Sequence, residues 1–379
     1  MMGQEDRPRD EMQTVPPEHG TDPGASRRVR DVSWVFVGED GLRVGWSVAI
    51  FVSLYYILIA VLDAVVVTAY PQLARDGFSP RNVLIGQCLP FLAILAAALF
   101  MARVENRSLW DYNLSPAHRL RRFGAGFAAG FAALSMLVTA LALGGWLDFG
   151  SVALNGAGAV KYGCIWGAAF LLVGFCEEGV FRCYLLATLT RGINFWWAAA
   201  GVGGLCLLLL AKDDPQGASG VYTVAVLGVA PCWLLERARA RSAGFWEAAW
   251  VTSTAFGFYH TGNHGETWIG VFAAALIGCI FCVSVWLTGS AWWAIGCHMA
   301  WDWTETFFYG TADSGFVSKG HLLTTKTHGN ALWSGGSDGP EGSLLVLPAV
   351  LFLLAILLVF YPRGRSSRLV TERTEPITG

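Results

Sequence analysis

The sequence predicts an all-α fold, a polytopic transmembrane helix bundle of about ten spans. Composition is the first reason. Of the 379 residues, 54% are hydrophobic and 14% are charged, whereas a soluble globular domain carries about 25% charged residues. The mean hydropathy is +0.47. The second reason is that the apolar residues fall into runs long enough to cross a bilayer core, which takes roughly 17–25 residues per helix.

The predicted spans follow one another from residue 44 to residue 361. They are 44–70, 83–101, 123–143, 162–189, 195–211, 221–235, 244–260, 268–287, 291–309 and 344–361. They divide the chain into a disordered cytoplasmic tail at 1–40, a membrane domain at 41–361 and a second cytoplasmic tail at 362–379. No soluble domain is predicted.

The distribution of Lys and Arg predicts the orientation. Basic clusters occupy the amino-terminal tail, the connection at 103–122, the segment 237–241 and the segment 363–368. All four fall on one predicted side, and cytoplasmic loops carry the excess of positive charge. Both termini are therefore expected in the cytoplasm. The chain is expected to be an integral membrane protein, and the absence of organellar signals favours a bacterial plasma membrane. The lipid bilayer is an expected partner. Nucleic acid is not expected to be one.

The nine cysteines all lie in apolar segments. Cys279 and Cys282 have CxxC spacing but no second pair, and an odd number of cysteines inside helices does not form a disulfide framework. Packing is the favoured interpretation.

Three ionisable residues interrupt the fourth predicted span. On a helix, Glu178 and Arg182 are four residues apart and can pair on one face. Glu177 is rotated by about 100° from Glu178 and has no such local partner. Ionisable groups at membrane depth are rare and indicate function by default. Glu177 is therefore available to act on another group.

Two further polar motifs occur in later spans. Phe256 to His260 ends the seventh span, and His298 and Asp302 lie four residues apart in the ninth, which stacks them on one helix face. Each motif has a structural alternative, because a single membrane histidine is often a packing residue and a Glu–Arg pair is often a clamp. The three motifs together predict a shared hydrated cavity with the pattern of an active site.

The motifs resemble those of a known family. Glu177-Glu178-x-x-x-Arg182, Phe256-x-x-x-His260 and His298-x-x-x-Asp302, with the segment 286–296 before the last, are similar to those of the CPBP intramembrane proteases, the CAAX-protease and bacteriocin-processing group also called Abi. The resemblance covers about 176–302 and the later Gly-Pro-Glu-Gly-Ser stretch. It implies a helical bundle with a CPBP-type catalytic core at about 160–361.

This chain departs from the family pattern in two places. The connection between the first two motifs is longer than usual, which predicts an inserted helical hairpin at about 201–242. The last motif position, which more often carries Asn in the family, is Asp302 here.

The resemblance also implies catalytic roles. Glu177 would be the general base, His260 would position the water or relay its proton, and His298 would donate to the oxyanion. Glu178 and Arg182 would hold the helix and the local field. For Asp302 we expect either that it orients His298 through the other ring nitrogen or that it is protonated, since an ionised carboxylate would repel an oxyanion.

A metal-dependent mechanism is the rival. The side chains that could bind Zn²⁺ are Glu177, His260, His298 and Asp302. No HExxH motif is present and the four residues are scattered over three helices, so we favour a site without a cofactor.

The favoured function is an intramembrane endopeptidase that acts on a membrane-associated peptide or protein. One alternative is a non-proteolytic scaffold or immunity protein of the same fold. A proton-coupled transporter is a weaker alternative, because the hydropathy shows no inverted repeat.

Overall fold

The computed structural model describes residues 33–38, 41–69, 80–211, 229–238, 242–263, 265–313, 315 and 317–362. Most of this chain is helical. The α-helices are α1 Ser33–Phe36, α2 Val44–Ala69, α3 Pro80–Val104, α4 Arg119–Leu143, α5 Gly156–Glu178, α6 Leu186–Leu189, α7 Phe195–Ala211, α8 Ala230–Arg237, α9 Ala243–His260, α10 Trp268–Thr288, α11 Trp292–Trp303, α12 Ala331–Ser334 and α13 Val346–Phe360.

Two π-helical segments continue α-helices. Gly179–Leu185 follows α5, and Thr304–Tyr309 follows α11. Short 3₁₀ turns lie at Leu109–Asp111 and Pro340–Gly342. π-Segments inside helices are rare and often occur at functional sites, and each of these two lies within a few residues of a predicted motif.

The all-α membrane bundle is confirmed. Five helices among the described residues are long and apolar enough to cross a bilayer: Val44–Ala69, Asn82–Val104, Arg119–Leu143, Gly156–Leu189 and Trp268–Thr288. Shorter apolar helices lie at Phe195–Leu205 and Val346–Phe360. The number of ten spans stays a prediction, as do the orientation and the inserted hairpin, whose centre lies outside the described residues. The predicted tails also lie mostly outside them.

Helix α11 lies between two apolar clusters. Ile295 packs in a cluster formed mainly by α2, α3, α5 and α9. Trp293 and Cys297, on the opposite face, pack in a second cluster formed mainly by α4, α10 and α13. Both clusters therefore hold this helix in place. Because α11 carries His298, that histidine has a fixed position at the centre of the bundle.

Close packing of α4 against α11 depends on two glycines. A Cβ at Gly126 would overlap the Trp293 carbonyl oxygen, and one at Gly130 would overlap the Cys297 carbonyl oxygen. Small residues four apart let two membrane helices approach until their backbones touch, which matters because lipid provides no hydrophobic drive for association. This Gly-x-x-x-Gly pair sets the position of the histidine-bearing helix.

The described part of the segment between α11 and α13 contains a strand. Strand β4, Leu323–Thr327, pairs antiparallel with β3, Leu147–Val152, while β1 and β2, Val37–Gly38 and Gly41–Leu42, form a separate small pair. The segment at 334–343 packs against the helices, with Asp338 and Ser343 buried. The periodicity of the sequence did not predict the β3–β4 pair, which is short and polar.

Candidate active site

Glu177 and Glu178 occupy the last turn of α5, immediately before the π-segment. The side chain of Glu177 is 23% exposed, whereas that of Glu178 is 0% exposed. Neighbouring residues on a helix point about 100° apart, so the two carboxylates have different surroundings. Glu177 lines a cavity, and Glu178 is enclosed by protein.

The predicted pair between Glu178 and Arg182 is present. Arg182 Nε lies 3.3 Å from Glu178 Oε2, and Arg182 Nη1 donates to Glu178 Oε1 at 3.3 Å. Both side chains are fully buried. The guanidinium carbon also lies 4.1 Å from the ring centroid of Phe256, a cation–π contact. Arg182 thus connects the first motif to the helix that carries His260.

Asn113 supports the π-segment from outside it. Its Nδ2 donates to the carbonyl oxygen of Arg182 at 2.8 Å, and its own carbonyl accepts from the backbone N–H of Ala291 at 2.8 Å. The side chain thereby satisfies a carbonyl within the π-segment and ties it to the start of α11. Sequence reasoning missed Asn113, because no motif surrounds it and the contact joins distant parts of the chain.

His298 contacts three carboxylates through its two ring nitrogens. Nδ1 lies 2.8 Å from Glu178 Oε1, while Nε2 lies 3.6 Å from Asp302 Oδ2 and 3.8 Å from Glu177 Oε2. A carboxylate accepts, so Nδ1 carries the hydrogen in this bond when Glu178 is ionised. Asp302 and Glu177 lie on the Nε2 side of the ring, whereas Glu178 contacts Nδ1. That Asp302 orients His298 or is protonated stays a prediction.

His260 is held by its own helix. Its Nδ1 donates to the Phe256 carbonyl oxygen at 2.8 Å, since a carbonyl can only accept. This contact leaves Nε2 as the nitrogen with an available lone pair when the ring is neutral. The Phe256 ring lies between the two histidines, with centroids 4.5 Å from His260 and 6.1 Å from His298.

One cavity of about 310 Å³ brings the three motifs together. Four predicted residues, namely Glu177, His260, His298 and Asp302, line it. Glu178 and Arg182 do not; they lie behind its wall. Apolar residues of α3, α5 and α10 cover much of the remaining surface, and Val83, Phe170 and Ile277 are examples. The cavity therefore combines a polar centre with apolar walls, as ligand sites commonly do.

Additional carboxyl groups line the cavity beyond the motifs. Glu266 lies in the loop before α10, and burial together with the nearby Asp338 raises its pKa to about 8. Burial also raises the pKa of Asp338. Thr267 donates to Asp338 Oδ2 from its hydroxyl at 3.0 Å. The pair thus retains a proton near neutral pH, and this proton reduces the repulsion between two buried acids.

A second acidic group lies beside the same cavity. Glu305, Asp313 and Glu341 each offer a ligand oxygen, and these oxygens lie within 4.8 Å of one another. Among the described residues, the four predicted zinc ligands form no group that meets this spacing. The sequence analysis did not assign a role to these three carboxylates. Their separation along the chain, from 305 to 341, hides the grouping.

Comparison with known proteins finds a matching family model over part of the chain. A family model described as Type II CAAX prenyl endopeptidase Rce1-like matches residues 159–243 and 232–304. The matched region contains all six residues of the three motifs. The match confirms the resemblance that those motifs indicated. No curated protein and no solved structure matches the chain.

Proposed function

We propose that this membrane protein of the Rce1-like family is an intramembrane endopeptidase that hydrolyses a peptide bond with a water molecule activated by Glu177 and His260. One observation carries the proposal. Glu177 lines a cavity together with His260, His298 and Asp302, while the adjacent Glu178 is engaged by Arg182 and His298. Glu177 is thus the carboxylate of the pair that can reach a substrate.

The first step is addition of water to the scissile carbonyl. The Glu177 carboxylate accepts a proton from the water while the oxygen of that water forms a bond to the carbonyl carbon. His260 positions that water through Nε2, the nitrogen left available by the Nδ1 bond to Phe256. The carbonyl π electrons move to oxygen and produce a tetrahedral oxyanion. Glu177 then transfers its proton to the departing nitrogen as the carbon–nitrogen bond breaks.

His298 stabilises the oxyanion in this scheme. With Nδ1–H held by Glu178, Nε2 can donate only when the ring carries its second proton. The Glu178 carboxylate, 2.8 Å from Nδ1, and the Glu177 carboxylate, 3.8 Å from Nε2, stabilise that positive charge. A fixed N–H donor in a site with little water contributes strongly to catalysis.

Asp302 acts indirectly in the proposal. Its Oδ2 lies 3.6 Å from His298 Nε2, on the side where the oxyanion would form. In protonated form Asp302 would avoid repelling that charge and would resemble the amide that the family more often has there. Its assigned role is to hold the imidazole in place beside the substrate.

The ligand spacing supports the mechanism without metal. If Zn²⁺ were bound, Glu177, His260, His298 and Asp302 would supply oxygen and nitrogen ligands of suitable type, and the ion would lower the pKa of a bound water. These side chains nevertheless do not bring three ligand atoms within 4.8 Å of one another in the described part of the chain. Metal binding there would require them to move.

The expected substrate is a membrane-associated peptide or protein. Apolar side chains of three helices line much of the cavity, so an extended apolar segment can enter with little loss of solvation. The peptide bond of that segment would then lie beside the polar side chains of the cavity.

Membrane proteomics tests both the activity and the substrate. Host cells that lack the protein are complemented with the wild-type chain or with Glu177→Ala, and membrane peptides are compared by mass spectrometry. We expect the same uncleaved proteins to accumulate in the uncomplemented and Glu177→Ala cells. Cleavage restored by Glu177→Ala would contradict the proposal.

A further inference from the structure

We infer that Glu305, Asp313 and Glu341 form a binding site for one hard divalent cation, best matched by Ca²⁺, on the wall of the cavity. The site is distinct from the hydrolytic residues and the inference does not depend on hydrolysis. Carboxylate oxygen atoms are the ligands that Ca²⁺, Mg²⁺ and Mn²⁺ prefer in proteins. Neither histidine nor cysteine belongs to the group, which argues against Zn²⁺ or copper.

Glu305 gives the strongest indication of a missing ligand. Its side chain is 0% exposed, and both of its carboxylate oxygens lack a hydrogen-bond partner among the described residues. A buried carboxylate without a partner is costly, because it has lost its water and gained nothing in return. One of these oxygens points into the group formed with Asp313 and Glu341. A cation at that point would satisfy it.

Hydrogen bonds orient the other two carboxylates. Trp301 Nε1 donates to Glu341 Oε1 at 2.7 Å, and Thr306 Oγ1 donates to Asp313 Oδ2 at 2.6 Å. An ionised carboxylate has about four acceptor positions, so a carboxylate that accepts such a bond can still bind a cation. Donors of this kind fix the orientation of ligating groups in metal sites.

The spacing fits a large cation. The ligand oxygens lie within 4.8 Å of one another, so an ion midway between the most distant pair would lie at most half of that, about 2.4 Å, from each. Ca²⁺–oxygen distances are about 2.3–2.6 Å, whereas those of Mg²⁺ are about 2.0–2.1 Å. Ca²⁺ can reach both oxygens even at this upper limit, whereas Mg²⁺ would require the most distant pair to lie no more than about 4.2 Å apart.

The backbone brings the three residues together before any ion binds. Gly310 ends the π-segment in the left-handed conformation, with φ 63°, and its N–H donates to the Glu305 carbonyl. Gly339 has φ 100° and lies so close to Ala312 that a Cβ would overlap the Ala312 carbonyl oxygen. These two turns hold the segments of Asp313 and Glu341 against Glu305.

The consequence is a link between the segment that precedes α13 and the helix α11. Glu305 lies in the π-segment that continues α11, three residues after Asp302. Glu341 lies in the 3₁₀ turn that precedes α13. A cation held by both would bind the segment at 311–343 to the helix that carries His298.

Calorimetry on the purified full-length protein tests the inference. Protein treated with a chelator and exchanged into metal-free buffer is titrated with CaCl₂ and, separately, MgCl₂. We expect about one equivalent of Ca²⁺ to bind more tightly than Mg²⁺. Glu305→Gln and Asp313→Asn should weaken Ca²⁺ binding by more than the roughly 10–100-fold that loss of an outer-shell group costs. Glu266→Gln, which changes another buried carboxyl of the same cavity, should not.

Terbium luminescence provides a second, local readout. Tb³⁺ substitutes for Ca²⁺ and emits when a nearby indole is excited, and Trp301 donates to the ligand Glu341. We expect sensitised emission that Ca²⁺ abolishes, that Trp301→Phe strongly reduces and that Glu177→Gln retains. Emission lost in Glu177→Gln but kept in Glu305→Gln would place the ion at the hydrolytic residues and overturn the inference.

The competing explanation is that the three carboxyls share protons. In that case Glu305→Gln would mimic the protonated acid and would keep the thermal stability of the wild type, and neither Ca²⁺ nor Mg²⁺ would bind or raise the melting temperature. That combination would also overturn the inference. Stabilisation by Ca²⁺ in the wild type, absent in both Glu305→Gln and Glu341→Gln, would support it, since a ligand that binds the native state raises its stability.

Discussion

His298 Nδ1 lies 2.8 Å from Glu178 Oε1, and Arg182 contacts the same carboxylate at 3.3 Å. Glu178 therefore does more than pair with an arginine on its own helix. It fixes the ring orientation of a histidine 120 positions later in the chain, and Arg182 balances its charge. The two neighbouring glutamates have separate tasks: one organises the site, and the other faces the cavity.

Glu177→Gln should abolish peptide hydrolysis and leave a folded protein. The amide keeps the shape of the side chain but cannot accept a proton from water, and loss of acid–base catalysis costs roughly 10²–10⁴-fold. Cleavage of a reporter substrate in reconstituted vesicles measures the rate. Gel filtration and the melting temperature serve as the folding control. Activity above about a tenth of the wild-type rate would contradict the general-base assignment.

Arg182→Ala should lower stability as well as activity. Removal of one member of a buried pair leaves the other charge uncompensated, at a cost of roughly 3–5 kcal/mol, and the cation–π contact with Phe256 is also lost. Protein yield and resistance to denaturing detergent measure the effect.

A double-mutant cycle separates the pair from its surroundings. Glu178→Gln combined with Arg182→Ala should destabilise less than the sum of the single changes, because the two residues are coupled. Normal stability of Arg182→Ala with selective loss of turnover would instead assign Arg182 to catalysis.

Asp302→Asn should preserve much of the activity if the site works without metal. The amide matches the residue more common in the family and keeps the contact with His298 Nε2, which is 3.6 Å long here. If Zn²⁺ bound the water, loss of a ligating carboxylate would sharply weaken its affinity.

Elemental analysis and removal of metal complete this test. Enzyme stripped with a zinc-selective chelator in the presence of excess Ca²⁺ should keep its activity. One equivalent of tightly bound zinc, lost together with activity in Asp302→Asn, would favour the metal-dependent mechanism.

The sequence predicted the helices well because their signal is local. The predicted span 268–287 differs from α10, Trp268–Thr288, by one residue, and the span 244–260 differs from α9, Ala243–His260, by one residue. Apolar runs end where polar or turn residues begin, so both boundaries can be located without knowledge of packing. The pairing of Glu178 with Arg182 was predictable for the same reason, since it depends on helical spacing alone.

Contacts between distant residues were not predictable in this way. The bond from His298 to Glu178 depends on the angle at which α11 meets α5, so the spacing of the motifs did not predict it. The bond from Asn113 to the carbonyl of Arg182 in the first π-segment likewise joins distant parts of the chain. Glu341 and Asp313 reach the cavity only through a segment whose turns depend on packing against the helices.

Glu266 should make stability depend on pH. Its pKa is raised from 4.5 to about 8 by burial and by Asp338. Between these two values the native state holds a proton that the unfolded state has released, so stability falls as pH rises through this window. Glutamine cannot ionise, so the substitution Glu266→Gln removes this decrease in stability with rising pH. The melting temperature of Glu266→Gln relative to wild type should therefore increase from about pH 5 to about pH 9. Parallel curves would contradict the shared proton between Glu266 and Asp338.

Gly130→Ala should destabilise the bundle. The added methyl group would overlap the Cys297 carbonyl oxygen and force α4 away from α11, and overpacking of this kind costs about 1–3 kcal/mol. Activity should fall with stability, because the displaced helix carries His298.

Gly124→Ala is the matched control on the same helix. Its Cβ would meet no atom within 4 Å, and an alanine is more favourable than a glycine in a helix by about 0.5–1 kcal/mol. Resistance to denaturing detergent should therefore decrease for Gly130→Ala and stay equal or increase for Gly124→Ala. Equal stability of the two variants would show that close contact between these helices does not position the histidine.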